Sequence, residues 1–233
     1  LITKDFNEKK WQAKFNANLF SNEIKIDFIN FYKPIKRRAN ISGALYFDDL
    51  DLIQINKLDF VTEQLLVSAN FQFNDQNNLE SILINRFIKD KNNFKANIKF
   101  VEDEYSQVKV QGESLDFKSI MSYGDGELSN ISLNLNVDNV YYDNIFFGKT
   151  FIESQLKNNN LLKIKGNISN NKGIYIKFEN NLEEQSELNQ IKIKFDDFGG
   201  FLKKSSLSES FIEGQGSATL FLRKLSLLSG KLE

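Results

Sequence analysis

Apolar and polar residues alternate along most of this 233-residue chain. Trp11, Ala13, Phe15, Ala17 and Leu19 start the pattern. Leu65, Val67, Ala69, Phe71 and Phe73 continue it, followed by Phe94, Ala96, Ile98 and Phe100. Ile131, Leu133, Leu135 and Val137, then Ile191, Ile193 and Phe195, repeat it far downstream. A period of two places every second side chain on one face of a sheet. The chain therefore reads as strands that are oily on one side and wet on the other. The question is what covers the oily side, because few segments have helical periodicity.

The alternation predicts strands at 11–20, 24–32, 39–47, 50–60, 64–74, 94–101 and 106–112. In the second half it predicts strands at 129–138, 140–147, 149–157, 161–169, 173–180, 188–196 and 211–222. Ser42-Gly43 inside the third strand marks a bulge or a close backbone approach. Pro34 falls in a connection, where its missing N–H harms no ladder. Leu79, Ile82, Leu83 and Phe87 fall near helical spacing and predict a short helix or turn over 78–88. Residues 115–121 predict a helical turn, and Tyr123-Gly124-Asp125-Gly126 a turn. Phe198, Phe201 and Leu202 share one helical face, so 197–207 is expected to be a helix capped by Asp196 or Asp197. Gly214 and Gly216 are expected to let that helix pack closely on the last strand. The Asn-rich connections of the second half are hairpin-like and predict an antiparallel meander. The whole reads as one β-rich segment, 1–233, with 1–112 and 113–233 as its sub-units.

Composition narrows the chemistry. The chain has no His and no Cys, which removes the usual general base, thiol chemistry and any Ser-His-Asp site. Thirty basic against 31 acidic residues leave no positive footprint for nucleic acid. No apolar run approaches the ~20 residues of a membrane helix. An enzyme is not expected, and neither a cofactor nor a metal. The chain is expected to be an internal piece of a longer protein.

Few clusters remain as candidate sites. Lys33, Lys36, Arg37 and Arg38 form the densest positive patch, a candidate contact for anionic headgroups or simply a solvated hairpin tip. Asp48, Asp49 and Asp51, and the pair Asp125 and Glu127, lack calcium-loop spacing and read as solvated carboxylates. Gly199-Gly200 lacks the Lys-Ser/Thr that a phosphate loop carries, so helix packing explains it better. Asn40, Asn130 and Asn167 match the N-glycosylation pattern, as chance allows in so Asn-rich a chain. The apolar stripes are the remaining candidate. Periodicity alone favours the commoner closed sandwich and does not separate it from an open face.

The segment 108–120, Val-Lys-Val-Gln-Gly-Glu-Ser-Leu-Asp-Phe-Lys-Ser-Ile, resembles the strand-Gly-Leu-Asp-Leu stretch of AsmA-like proteins, the large TamB- and YhdP-type envelope proteins of proteobacteria. The resemblance continues over 133–156 around Asp138-Asn139-Val140-Tyr141-Tyr142. It is clearest at Asp196-Asp197-Phe198-Gly199-Gly200-Phe201-Leu202 followed by Ile212-Glu213-Gly214-Gln215-Gly216. No Pro follows Lys118, and the family's Gly-Gly pair is split into Gly214 and Gly216. The resemblance implies a periplasmic segment of an inner-membrane-anchored protein, whose sheet curls into an apolar trough that passes phospholipid acyl chains toward the outer membrane.

The expected fold is therefore all-β and mainly antiparallel: a long curled sheet forming an apolar trough, with one or two short helices. The expected lining is Phe71, Phe73, Ile98, Phe100, Leu133, Leu135, Ile164, Ile168, Ile176, Phe178, Ile193, Phe195, Leu220 and Leu222. Expected partners are phospholipid, neighbouring segments of the same chain and the inner membrane through an anchor elsewhere in the parent. A closed structural or interaction β-domain of the cell envelope is the alternative. A piece of an outer-membrane barrel ranks below both, since Phe is spread through strand centres rather than gathered in girdles.

Overall fold

The computed structural model describes residues 2–3, 10–101, 105–117, 130–142, 145–158, 160–169, 175–181, 189–204, 210, 214–223 and 226–232. Its strands are β1 (Ile2–Thr3), β2 (Lys10–Asn18), β3 (Ile24–Ile26), β4 (Phe31–Lys33), β5 (Ala39–Asp48), β6 (Asp51–Thr62), β7 (Leu65–Phe73), β8 (Leu79–Lys89) and β9 (Asn92–Lys99). They continue as β10 (Ser106–Asp116), β11 (Ile131–Tyr142), β12 (Ile145–Lys157), β13 (Asn160–Ser169), β14 (Tyr175–Asn181), β15 (Asn189–Phe195), β16 (Gly216–Arg223) and β17 (Ser226–Leu232). The helix α1 (Phe198–Lys204) lies between β15 and β16. All strands except β3 and β4 join one 15-stranded sheet in chain order. The sheet is mainly antiparallel and is not closed into a barrel.

Among the described strands the one parallel pair is β10–β11, with Ser106 opposite Ile131 and Asp116 opposite Tyr141. Parallel neighbours need a crossover of about a dozen residues, and 117–130 supplies it. The antiparallel meander expected of the second half runs through β11–β15, and the parallel pair joins it to the first half. The sheet runs unbroken across the boundary between 112 and 113.

Other expectations are corrected by bulges. Residues 78–88 are not a helix but most of β8. Ile82 and Ile84 keep strand alternation, and the register shift between Ile84 and Phe87 then moves the phase by one. That extra residue gives a strand a helix-like spacing. The two strands expected at 129–138 and 140–147 are one long β11 and the start of β12, bent by shifts around Val137, Val140 and Tyr141. Gly148 takes a positive φ of 89° within β12, where a strand boundary was expected. The strand expected at 24–32 is instead a separate hairpin, β3–β4, joined by a 3-10 turn at Asp27–Ile29 and a left-handed Asn30. The strand expected at 211–222 is β16, and a further strand, β17, pairs with it.

Asp197 does cap α1, its Oδ1 accepting the Gly200 N–H at 2.8 Å. A Cβ on Gly200 would collide with that carboxylate, which accounts for glycine at 200 without a ligand. Close packing does not explain Gly214: nothing lies within 4 Å of where its Cβ would be. Its φ of +126° requires glycine, and its carbonyl accepts the Phe198 N–H at 2.7 Å. The 123–126 turn, Asp125, Glu127 and the expected helix end at 205–207 lie outside the described residues.

Candidate functional site: the apolar face of the sheet

Residues directly opposed on neighbouring strands share a face, so the register shows which side chains stand together. One row runs Ala13, Leu45, Ile55, Phe71, Ile82, Ile98, Val108, Leu133, Ser154 and Ile164. A second runs Leu58, Ala69, Ile84, Ala96, Val110, Leu135, Ile152, Gly166, Phe178, Ile193 and Ala218. A third runs Ala17, Ile41, Phe60, Val67, Phe87, Phe94, Gly112, Val137, Thr150, Ile168, Ile176, Phe195 and Gly216. Ser154 and Thr150 are the polar members. The Thr150 hydroxyl is satisfied within its own strand, donating to the Gly148 carbonyl at 3.2 Å.

The register therefore brings most of the expected lining onto one face. Phe71, Ile98, Leu133 and Ile164 fall in the first row, Leu135, Phe178 and Ile193 in the second, and Ile168, Ile176 and Phe195 in the third. Leu220 continues the face on β16, opposite Ile191. Phe73 stands at the end of β7, opposite Leu79. Phe100 is corrected to a rim position: it follows β9, is 41% exposed, and donates its N–H to the Glu80 carbonyl. Leu222 sits on β16 opposite Asn189, with its side chain outside the described residues. Ile82, Ile84, Val108, Val110 and Ile152 belong to the face as well. Alternation marks Val108 and Val110, whereas the β8 bulge hides Ile82 and Ile84.

Burial is uneven across this face. Leu135 is 1% exposed and Val137 0%, and both join a cluster with Leu65, Phe87, Phe94 and Ala96. Phe31 of β4 belongs to that cluster, and Ile24, Ile26 and Ile29 pack against it. Phe31 meets Phe60 edge-on, ring centroids 5.9 Å apart. The first row is shallower: Phe71, Ile98, Leu133 and Ile164 are half-buried. At the far end of the strands Trp11 stacks on Phe47 at 4.0 Å.

The opposite face is mainly polar, with Val61, Leu66 and Ile88 an apolar row within it. Asn134, Glu153, Lys165, Glu179, Lys192 and Thr219 form a row there, with Lys165 and Glu153 paired at 2.8 Å. A shallow depression of about 760 Å³ lies among Arg86, Lys95, Glu113, Asp138 and Lys149. Its charges are mutually compensated in part: Lys149 pairs with Asp138 at 3.3 Å, and Glu113 accepts from Asn93 at 2.7 Å.

The basic patch is corrected in one member. Lys33 is 3% exposed, and its ammonium donates to the carbonyls of Asn22, Pro34 and Arg37 at 2.7, 3.0 and 3.1 Å. It therefore fastens the loop from inside and offers no surface charge. Lys36, Arg37 and Arg38 are exposed, and Arg37 pairs with Glu63 at 3.4 Å. Asp49 takes a left-handed turn conformation and its carbonyl accepts from the Trp11 indole, while Asp51 accepts from Asn77. Asp49 lies in the turn, and Asp48 and Asp51 are the paired strand ends that flank it. Among the described residues no three acidic side chains stand close enough to hold a metal, and no described helix is long and apolar enough to cross a membrane.

Set against models of known protein families, curated proteins and solved structures, the chain matches none of them.

Proposed function

We propose that the apolar face carries phospholipid acyl chains, and that this chain is a stretch of an AsmA-like protein bridging the inner and outer membranes across the periplasm. The supporting observation is the continuity of the apolar rows over more than ten consecutive strands. With strands about 4.8 Å apart, fifteen of them extend over roughly 65 Å, far longer than one lipid needs. Each buried CH₂ contributes about 0.8 kcal/mol, so a two-tailed lipid is held against loss to water. Because every strand offers apolar side chains to this face, a lipid moved by one strand stays on an apolar surface. A conduit needs that continuity and no acid, base or metal.

The test is direct. The protein is purified gently, extracted with organic solvent, and the extract read by mass spectrometry. Phospholipid in at least equimolar amount is expected. Ile98→Asp combined with Ile164→Asp, both in the half-buried row, is expected to reduce it several-fold while the far-ultraviolet spectrum stays β. Wild-type protein free of lipid would sink the proposal. The rival reading, a closed interaction scaffold, is favoured by the full burial of Leu135 and Val137. It expects no lipid, and unfolding rather than lipid loss in the double variant.

A further inference from the structure

The β3–β4 excursion, residues 19–38, is not needed to connect the strands that flank it. β2 and β5 are paired up to Asn18 opposite Asn40, and the Leu19 N–H reaches the Ala39 carbonyl at 2.8 Å. A two-residue turn would close that hairpin. The chain instead leaves the sheet, builds a small hairpin and returns. That hairpin is held by its own groups. The buried Lys33 ammonium gathers three carbonyls of the excursion, Asn30 closes the 3-10 turn onto the Asp27 carbonyl, and the Lys36 N–H bonds the Phe20 carbonyl. Its apolar side, Ile24, Ile26, Ile29 and Phe31, joins the cluster on the apolar face, while Tyr32 and Ile35 point to solvent. The excursion is thus a preassembled apolar knob set on the lipid-facing side of the sheet, with Phe31 against Phe60.

We propose that the β3–β4 hairpin is a built-in occupant of the apolar face, which excludes acyl chains from the stretch around Phe60 and confines them to the stretch around Phe178. This rests on the lipid reading above and adds where on the face lipid is taken. The two positions are comparable in the sheet: Phe60 and Phe178 are both inward, half-buried phenylalanines on strands with two neighbours. They differ in that only Phe60 has the Phe31 ring across it.

Benzoylphenylalanine placed singly at Phe60 or Phe178 tests the difference. The full chain is incubated with vesicles of phosphatidylethanolamine and phosphatidylglycerol, irradiated, and analysed by intact mass. Lipid adduct is expected at Phe178 and at least tenfold less at Phe60. Replacing residues 20–38 by Asn-Gly is expected to raise the Phe60 adduct to the Phe178 level. Ile29→Ser with Phe31→Ser, which keeps the excursion but removes its apolar grip, is expected to do the same and decides the matter if the excised protein does not fold. Adduct at Phe60 with the hairpin intact overturns the proposal, as does no gain at Phe60 in the serine variant while Phe178 is labelled. Adduct at neither position in any protein overturns the lipid reading, and the hairpin's role as lipid excluder with it.

Discussion

Among the described residues, phenylalanine and glycine stand opposite one another four times on the apolar face: Phe15 with Gly43, Phe94 with Gly112, Phe178 with Gly166 and Phe195 with Gly216. In three of these pairs the phenylalanine fills the space where a Cβ of the glycine would stand. A side of a sheet that curls inward has less room than its outer side, and a large residue beside an empty one fits that room. The glycines are not equivalent. A Cβ on Gly112 would meet the Asn93 carbonyl oxygen and the Phe94 Cα at 2.6 Å, both backbone, whereas on Gly43 it would meet the tip of the Phe15 ring at 2.9 Å. A ring can move and a ladder cannot. Gly112→Ala is therefore expected to destabilise by about 2 kcal/mol, in the range of overpacked sites, and Gly43→Ala by clearly less. Chemical denaturation of the two variants checks the order. Alternation showed these phenylalanines to be inward, but the glycines' role was legible only at Gly43. A close approach depends on which strand lies opposite, and that is fixed by register rather than by local sequence.

Bulges decide how the strands lie, and they also limit how much of the fold could be read. The β5–β6, β6–β7, β7–β8, β8–β9, β9–β10 and β11–β12 pairs each shift register on the hairpin side of the Phe71–Leu133 row. Bulges bend a strand and increase its twist, and further shifts at Tyr46/Phe47, Gln72/Phe73 and Gln155/Leu156 lie on the other side of that row. Where a strand has no bulge between its apolar residues, as over Phe94–Ile98 or Ile131–Val137, alternation placed the side chains correctly. Where a bulge intervenes, as at Ile84–Phe87, the same reasoning mistook a strand for a helix. The helix that does form, α1, was legible because its signals are local: a capping Asp, then Phe198 and Leu202 one turn apart. Asp197→Ala is expected to cost about 1 kcal/mol through the lost cap, while Asp197→Asn, which still offers a side-chain oxygen, is expected to cost less. Denaturation midpoints of the two variants test this. The β3–β4 hairpin was misread because its residues alternate like any strand, and nothing in a period of two says which sheet a strand joins.

Across the whole molecule, each inner strand of the large sheet packs beside its two neighbours, so stability is largely passed along as in a repeat protein. The cluster around Leu135 binds the middle strands more firmly than the ends. Unfolding is accordingly expected to depart from two-state behaviour. The single Trp, Trp11, stacks on Phe47 near one end of the sheet and provides a built-in probe. Its fluorescence is expected to change at lower denaturant than the far-ultraviolet signal of the whole sheet. Coincident transitions would show that the sheet melts as one unit.

The parallel β10–β11 pair has a consequence of parity. Fifteen strictly alternating strands would begin and end on opposite edges; one repeated direction brings β1's start and β17's end to the same edge. That edge also carries the 19–38 and 196–215 excursions, with the β3–β4 hairpin and α1, and it is where the 117–130 crossover departs. The other edge, marked by Trp11, Phe47 and Phe73, is crossed by connections of at most seven residues apart from the arrival of that crossover. The molecule is thus lopsided by topology. Under the lipid reading proposed above, a guest moving sideways onto the apolar face meets the β3–β4 hairpin and α1 along one long margin, so the margin at Trp11, Phe47 and Phe73 is the expected side door.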